Sequence, residues 1–456
     1  MTNVLTTDIA VIGAGTAGTT AFHEIRRAGA AALLVDHGPL GTTCARVGCM
    51  PSKAVLHAAH EAALLRRQAL ASGQDAPDAN ALWRRAIATR DMLAAGAAGR
   101  TRSAAGDDLL MGTARFVGPR EIDVDGQRIR ARAFVVATGS RPIVPPGLVD
   151  LGDRLLTTDS LFELEDLPRS IGILGLGAIG LELGLALARM GVDVVAGDVR
   201  GTPGGVADPV VAERAKQHFS GELPMWLGPP LEARADAGGA LLSNGEHSRH
   251  VEKVLAALGR RPNIETLELE RAEAPLDARG APAVDANTLR AGDSALFFAG
   301  DVHPDRPLMH EGVDEGVIAA RGALALSGRH APPLLPRRTG LSIIFSDPDL
   351  ASIGTPFDAL VAQDFIVGTA EGSGNGRSRI LAAPDNLVRV YAERVSGRLL
   401  GASLMATHGE HLAHLLAWAV QRGETVASLL EMPYYHPSIE EMLQSALKDA
   451  LRQLNA

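Results

Sequence analysis

The chain has 456 residues, more than the roughly 250–300 at which a single core stops growing, so two to four domains are expected. Its composition, 46% hydrophobic and 21% charged with 50 glycines and 26 prolines, is that of a soluble globular protein rich in tight turns. A formal charge of −9 without any Lys/Arg run excludes a general nucleic-acid surface, and no apolar stretch approaches the roughly 18–20 residues that span a bilayer.

In chain order, the first pattern is an apolar strand, Ile9 to Ile12, leading into Gly13-Ala14-Gly15-Thr16-Ala17-Gly18, a helical run to Arg27 and a second strand, Ala32 to Val35, ending at Asp36. Gly13 permits the tight turn, Gly15 lets backbone approach a pyrophosphate, and Gly18 lets helix pack on strand. Asp36 can accept hydrogen bonds from ribose hydroxyls. Because Ile9 to Ile12 reads as a buried strand rather than a signal peptide, a cytoplasmic location is expected. The only two cysteines, Cys44 and Cys49, follow within six positions of each other. In a cytoplasmic protein such a pair reads as catalytic, and at a helix start the dipole and exposed amides favour a thiolate. Two thiolates with only His57 and His60 nearby are too few ligands for structural zinc, so no metal is expected.

Lys53–Ala71 and Asn80–Ala105 have helical composition. Asp125-Gly126 is a hairpin turn between Glu121–Val124 and Gln127–Ala133. A second glycine turn, Gly175-Leu176-Gly177-Ala178-Ile179-Gly180, lies between a strand at Ile171 and a helix to Met190, with a strand from Asp193. Two such units, with the cysteines just after the first, suggest one dinucleotide held permanently and one exchanging. Asp198 follows Gly175 by 23 positions; an acid there favours NAD by repelling the 2′-phosphate of NADP, although Arg200 could offset it and an Asp can simply form a turn. Asn244-Gly245 marks another turn, and Leu341–Phe345 and Leu387–Glu393 read as strands. Near the end, His436 is followed five residues later by Glu441, the pattern of a general base with an orienting acid.

Gly41-Thr42-Thr43-Cys44-Ala45-Arg46-Val47-Gly48-Cys49-Met50-Pro51-Ser52-Lys53 resembles the active-site signature of the flavoprotein disulfide reductases, and most of all its dihydrolipoamide dehydrogenase branch. Val136 to Pro142 and Ala257 to Asn263 resemble the family's two domain-crossing segments, Phe298-Ala299-Gly300-Asp301 its second FAD motif, and His436 to Glu441 its C-terminal element. The resemblance spans nearly the whole chain. It implies an α/β fold of two Rossmann-like dinucleotide-binding domains plus a C-terminal α+β dimerisation domain. The expected division is 1–145 for FAD and the cysteine pair, 146–265 for NAD(P), 266–333 completing the FAD domain and 334–456 for the interface.

The resemblance further implies that electrons pass between NAD(H) and a dithiol such as dihydrolipoamide through FAD and a Cys44–Cys49 disulfide. Cys44 is then the interchange thiol, Cys49 lies against the flavin, and Lys53, paired with Glu182, lies near flavin N5. His436, held by Glu441, is the acid/base acting across a homodimer interface. Tyr434 and Tyr435 either wall that pocket or pack at the subunit contact. Asp301 takes the ribityl chain of FAD, Met309 brings backbone to the flavin, and Thr43, Thr138, Gly139, Gly259 and Gly300 belong to cofactor-binding motifs. His310 is expected to be structural. The family's usual second glycine is Thr42 here, which places a side chain close to FAD and predicts a shifted or tilted loop; Met50 and Ser438 are smaller departures. Mercuric and large thioredoxin reductases need a further cysteine pair, and transhydrogenases lack one of these two. The alternatives are reduction of another disulfide, a metal ion or a quinone, or a redox sensor without turnover.

Overall fold

The computed structural model describes residues 4–277, 280–360 and 364–456. The chain forms two compact units. The first comprises residues up to Ala54, Arg85–Ile143 and Gly259–Arg337; the second comprises Val55–Arg84, Val144–Leu258 and Arg338 onward.

In the first unit five parallel strands run in the order Leu109–Met111, Ala32–Asp36, Leu5–Ile12, Gln127–Val136, Leu296–Phe298. A sheet covered on both faces needs apolar residues at successive positions. Ile9 and Val11 accordingly join the core under helices Thr16–Arg27 and Met309–Leu326, while Ala10 and Ile12 join the opposite core with Phe116 and Phe134. Gln127–Val136 is long enough to serve two partners: its first residues pair antiparallel with Glu121–Val124, its last parallel with Leu296–Phe298. Asp125 and Gly126 both have positive φ, +46° and +93°, as a two-residue hairpin loop requires.

The second unit holds a parallel sheet ordered Met225–Leu227, Asp193–Asp198, Ser170–Leu174, Lys253–Ala256, Leu155–Leu156. A three-stranded meander, Glu232–Asp236, Gly239–Ser243 and Ser248–Val251, packs on it where Leu242 occupies the space a Cβ at Gly172 would take. Its C-terminal part is an antiparallel sheet ordered Leu341–Ile344, Asp349–Gly354, Leu399–Ala406, Leu387–Glu393, Phe365–Glu371. Helices Gly409–Arg422 and Glu441–Leu454 share one core with it. Buried Asp208 ties the two sheets together: it caps helix Pro209–Phe219 through the amides of Val210 and Val211, and it accepts from Arg389 Nε and the Tyr391 hydroxyl, each at 2.7 Å. Among the described residues no helix is long and apolar enough to cross a membrane.

Asp349 opens one strand of this sheet and accepts from the Glu410 amide at the start of helix Gly409–Arg422. Burial, then the hydrogen bond to the Glu410 carboxylate, pushes the Asp349 carboxyl up from 3.8 to about 8, so the two acids share one proton. The folded state therefore binds more protons than the unfolded chain between these values. The pair's contribution to stability is fully present below pH 3.8 and is lost as pH rises through about 8. Asp349→Asn, which keeps an N–H donor for Glu410 but cannot ionise, is expected to flatten this decline. Urea unfolding from pH 5 to 9 checks it: the variant's stability relative to wild type must rise with pH.

Candidate active site

The two glycine turns are built alike. In the first, a Cβ on Gly18 would lie 1.8 Å from the Gly13 carbonyl oxygen, and one on Gly13, at φ +106°, would lie 2.3 Å from that of Ala137. In the second, Gly180 and Gly175 meet the carbonyls of Gly175 and Ala257 at 1.9 and 2.5 Å. Helices Thr16–Arg27 and Ala178–Met190 start at Gly15 and Gly177 without side-chain caps, which leaves first-turn amides for an anion. Each turn is closed by the acid at the end of the next strand. Ala14 N and Gly38 N donate to the two oxygens of Asp36, each at 2.6 Å, and Leu176 N and Arg200 N donate to those of Asp198, each at 2.7 Å. Asp198 thus occupies in the second unit the place Asp36 occupies in the first.

A cavity in the first unit runs from Gly13, Gly15 and Asp36 past Thr42, Thr43 and Arg46 to Gly112, Thr113, Thr138, Gly139 and Asn263. These residues fit FAD: the turn offers uncapped amides, and among the described residues each Asp36 oxygen takes only one hydrogen bond. Arg46, Gly112 and Thr113 carried no motif signal, although Arg46 lies between the cysteines. Thr138 and Asn263 lock the crossing segments together. Thr138 Oγ1 donates to the Asn263 carbonyl (2.7 Å), Asn263 Nδ2 donates back to that of Thr138 (3.0 Å), and Asn263 N donates to the Gly139 carbonyl (2.9 Å). Gly259, at φ +99°, accepts the Ile143 amide at 2.9 Å. Asp301 accepts from Ser140 Oγ at 2.9 Å, the Gly300 amide donates to buried Glu315 at 2.8 Å, and Met309, half exposed, begins a helix with His310 exposed beside it.

Cys44 sits on the single turn Thr43–Arg46 and Cys49 is the first residue of helix Cys49–Ser72, where Pro51 lies in the first turn and sacrifices no hydrogen bond. Gly48 brings them together: a Cβ there would lie 3.1 Å from the Cys44 Cα. Cys44 is half-buried and Cys49 exposed. The hydrogen bond to Cys49, then burial, pushes the Cys44 thiol far up; the amides of Cys49 and Met50 pull the other way. The two sulfurs are thus hydrogen-bonded to each other at the start of a long helix, with helix-start amides directed at Cys44. Lys53 follows one turn later, half-buried.

The loop before Cys44 keeps a glycine-like backbone despite Thr42, whose φ is +61° and ψ 147°. Instead of pointing into open space, Thr42 Oγ1 accepts the Ala45 amide at 3.1 Å and caps the turn.

In the second unit, Glu182 is buried on helix Ala178–Met190 and accepts the Phe345 amide at 3.0 Å. His436 Nδ1 lies 3.0 and 3.2 Å from the two oxygens of Glu441, which also accepts the Ser438 amide at 3.0 Å. Glu441 opens helix Glu441–Leu454, and its hydrogen bond to His436 holds its carboxyl below the usual range. The ring nitrogen opposite Glu441 is left outward, the side chain being 79% exposed. The neighbouring tyrosines divide: Tyr434 packs against the C-terminal core and donates to the Leu429 carbonyl at 3.1 Å, whereas Tyr435 is exposed.

Two dinucleotide turns, an FAD-shaped cradle and a redox dithiol define a flavin- and nicotinamide-dependent dithiol/disulfide oxidoreductase. Comparison agrees. Residues 7–319 match the family model described as pyridine nucleotide-disulphide oxidoreductase, and 341–447 match its dimerisation domain. Dihydrolipoyl dehydrogenases of Halobacterium salinarum and Thermus scotoductus are 31% and 30% identical, covering 98% and 99% of this chain and 96% and 99% of theirs. The copper(II) complex of the HOCl-induced flavoprotein disulfide reductase RclA from Escherichia coli has a TM-score of 0.84 at 21% identity, covering 97% of this chain and 99% of that one; LpdA of Mycobacterium tuberculosis has 0.83 at 22%, with the same coverage. The chain belongs to the pyridine nucleotide-disulphide oxidoreductase family. It is an NAD-dependent flavoprotein enzyme that uses FAD and acts as a homodimer on small dithiol or disulfide substrates.

A residue with a side chain at Thr42's φ and ψ is strained by about 1–3 kcal/mol, whereas glycine as an N-cap falls only a few tenths short of threonine. Thr42→Gly is therefore expected to stabilise the protein by about 1 kcal/mol, read as a higher denaturant midpoint at unchanged slope.

Proposed function

We propose that the protein is a dihydrolipoamide dehydrogenase, transferring two electrons from a dihydrolipoamide-type dithiol to NAD through the Cys44–Cys49 disulfide. The observation that carries this reading is the hydrogen-bonded thiol pair at the start of helix Cys49–Ser72, next to residues lining the FAD cradle. The named dihydrolipoyl dehydrogenases at 30–31% identity support the substrate class.

The residues then divide the work as follows. Gly13, Gly15, Gly18, Asp36, Thr43, Thr138, Gly139, Gly259, Gly300, Asp301 and Met309 hold FAD, with Lys53 and Glu182 as an ion pair near its reactive edge. Gly175, Gly177 and Gly180 approach the nicotinamide coenzyme, and Asp198, at the end of the next strand, sets the charge beside its ribose. FAD, when bound, supplies the two-electron connection between the dithiol and NAD. His436 of one subunit takes a proton from the substrate dithiol bound at the other subunit's cysteines, and Glu441 steadies the resulting imidazolium. The substrate thiolate attacks the Cys44 sulfur, forming a mixed disulfide and releasing Cys49 as a thiolate. The second substrate thiol displaces Cys44, leaving an oxidised substrate disulfide and a reduced Cys44/Cys49 pair. Cys49 suits departure because the helix start stabilises its anion. A cytoplasmic location accords with this chemistry.

Anaerobic titration tests the proposal. Two-electron reduction is expected to raise a long-wavelength band that lipoamide removes; NADH-driven metal or quinone reduction without any lipoamide response would overturn the substrate assignment, and absence of turnover would point to a sensor. Cys49→Ser is expected to abolish the band, while Cys44→Ser keeps it and stops disulfide exchange. His436→Ala is expected to lower lipoamide turnover by roughly 10²–10⁴-fold with the band retained. Wild-type rates in all three variants would sink the assignment.

A further inference from the structure

The acids closing the two glycine turns differ in how much hydrogen-bonding capacity they keep. A carboxylate offers about four acceptor positions. Asp36 spends one per oxygen, on Ala14 N and Gly38 N. Asp198 is saturated: Oδ2 takes Leu176 N (2.7 Å) and Arg200 Nη2 (3.1 Å), while Oδ1 takes Arg200 N (2.7 Å) and Arg200 Nε (3.2 Å). Asp198 is buried beneath a guanidinium that remains 56% exposed. That guanidinium lies over the turn, its Nη2 3.4 Å from where a Gly177 Cβ would stand. Two of its five N–H groups serve Asp198, so three remain directed elsewhere.

We propose that Arg200 is the specificity-determining residue of the second nucleotide turn, and that its ion pair with Asp198 makes the site accept 2′-phosphorylated pyridine dinucleotides alongside NAD(H). The proposal rests on the reading that the nicotinamide coenzyme binds at Gly175–Gly180. A bare carboxylate at this strand end favours a ribose 2′-hydroxyl and repels a 2′-phosphate. Here the negative charge is offset, the acceptor positions are filled, and the outermost charged group is a cation with donors to spare. Guanidinium is suited to such an anion because its planar fork can bind carboxylate and phosphate at once.

The test is equilibrium binding of NAD⁺ and NADP⁺ to the FAD-loaded dimer by calorimetry. Wild type is expected to separate the two by less than about tenfold. Arg200→Gln removes the charge-assisted bonds to the phosphate and frees Asp198; it is expected to weaken NADP⁺ by at least about tenfold without weakening NAD⁺. Asp198→Asn, which removes the charge and keeps one acceptor oxygen for one of the two pairs of donors, is expected to tighten NADP⁺ relative to NAD⁺ by about tenfold. A wild-type preference for NAD⁺ above about a hundredfold, or an Arg200→Gln ratio equal to wild type, would overturn the proposal. Failure of both nucleotides to bind wild type would instead refute the placement of the coenzyme at this turn.

Discussion

The structure depends on backbone crowding at two strand-to-helix turns. At Gly18 and Gly180 the space for a side chain is already filled by a carbonyl oxygen of the same turn. No other residue could close either turn without separating helix from strand, because the contact is with backbone and cannot be relieved by a rotamer change. That closeness aims the start of each helix at the end of the sheet, and it lets the amide after the first glycine reach the acid 22 residues later. The first turn thereby fixes one wall of the FAD cradle, whose far side carries the short turn with Cys44. The second fixes the position of Asp198 and of the Arg200 that covers it.

Chemical asymmetry is then imposed on a pair of identical side chains. Cys44 is half-buried on a single turn and Cys49 exposed at the start of a 24-residue helix, so the two hydrogen-bonded sulfurs differ in their access to solvent. Gly48 permits the contact and Thr42 shapes the approach to it. The strain at Thr42 is tolerated because its hydroxyl and carbonyl both serve the following turn, accepting the amides of Ala45 and Arg46 at 3.1 Å.

Much of this was legible in the sequence because it is local. The glycine spacings, the helices read as Lys53–Ala71 and Asn80–Ala105, and the Asp125-Gly126 hairpin depend on neighbours in the chain, and they appear as Cys49–Ser72, Ala79–Ala105 and a turn with two positive φ angles. The strand read as Gln127–Ala133 runs on to Val136, since its end is set by pairing with Leu296–Phe298 far along the chain. The place of Arg46, Gly112 and Thr113 in the lining of that cavity is likewise a product of folding. At Thr42 the positive φ goes with a side chain that caps its own turn, an outcome decided by one side-chain hydrogen bond that no spacing encodes.

The catalytic arrangement proposed at His436 is local in sequence yet depends on distant packing. Five residues separate His436 from Glu441, and the pair was legible through the resemblance of the segment His436–Glu441 to the family's C-terminal element. Its orientation, however, comes from helix Glu441–Leu454, which lies so close to strand Phe365–Glu371 that a Cβ on Gly368 would stand 2.1 Å from the Ala446 carbonyl oxygen. Asn375 Nδ2 donates to the Ser438 carbonyl at 3.0 Å and anchors the intervening loop. On the proposed reading, in which His436 reaches a sulfur on another subunit, the base cannot be carried on a mobile tail, because its effective concentration there would fall with every added degree of freedom. The C-terminal sheet is the rigid mount that this arrangement requires, and a side chain at Gly368 would displace the helix that carries Glu441 without touching any reacting atom.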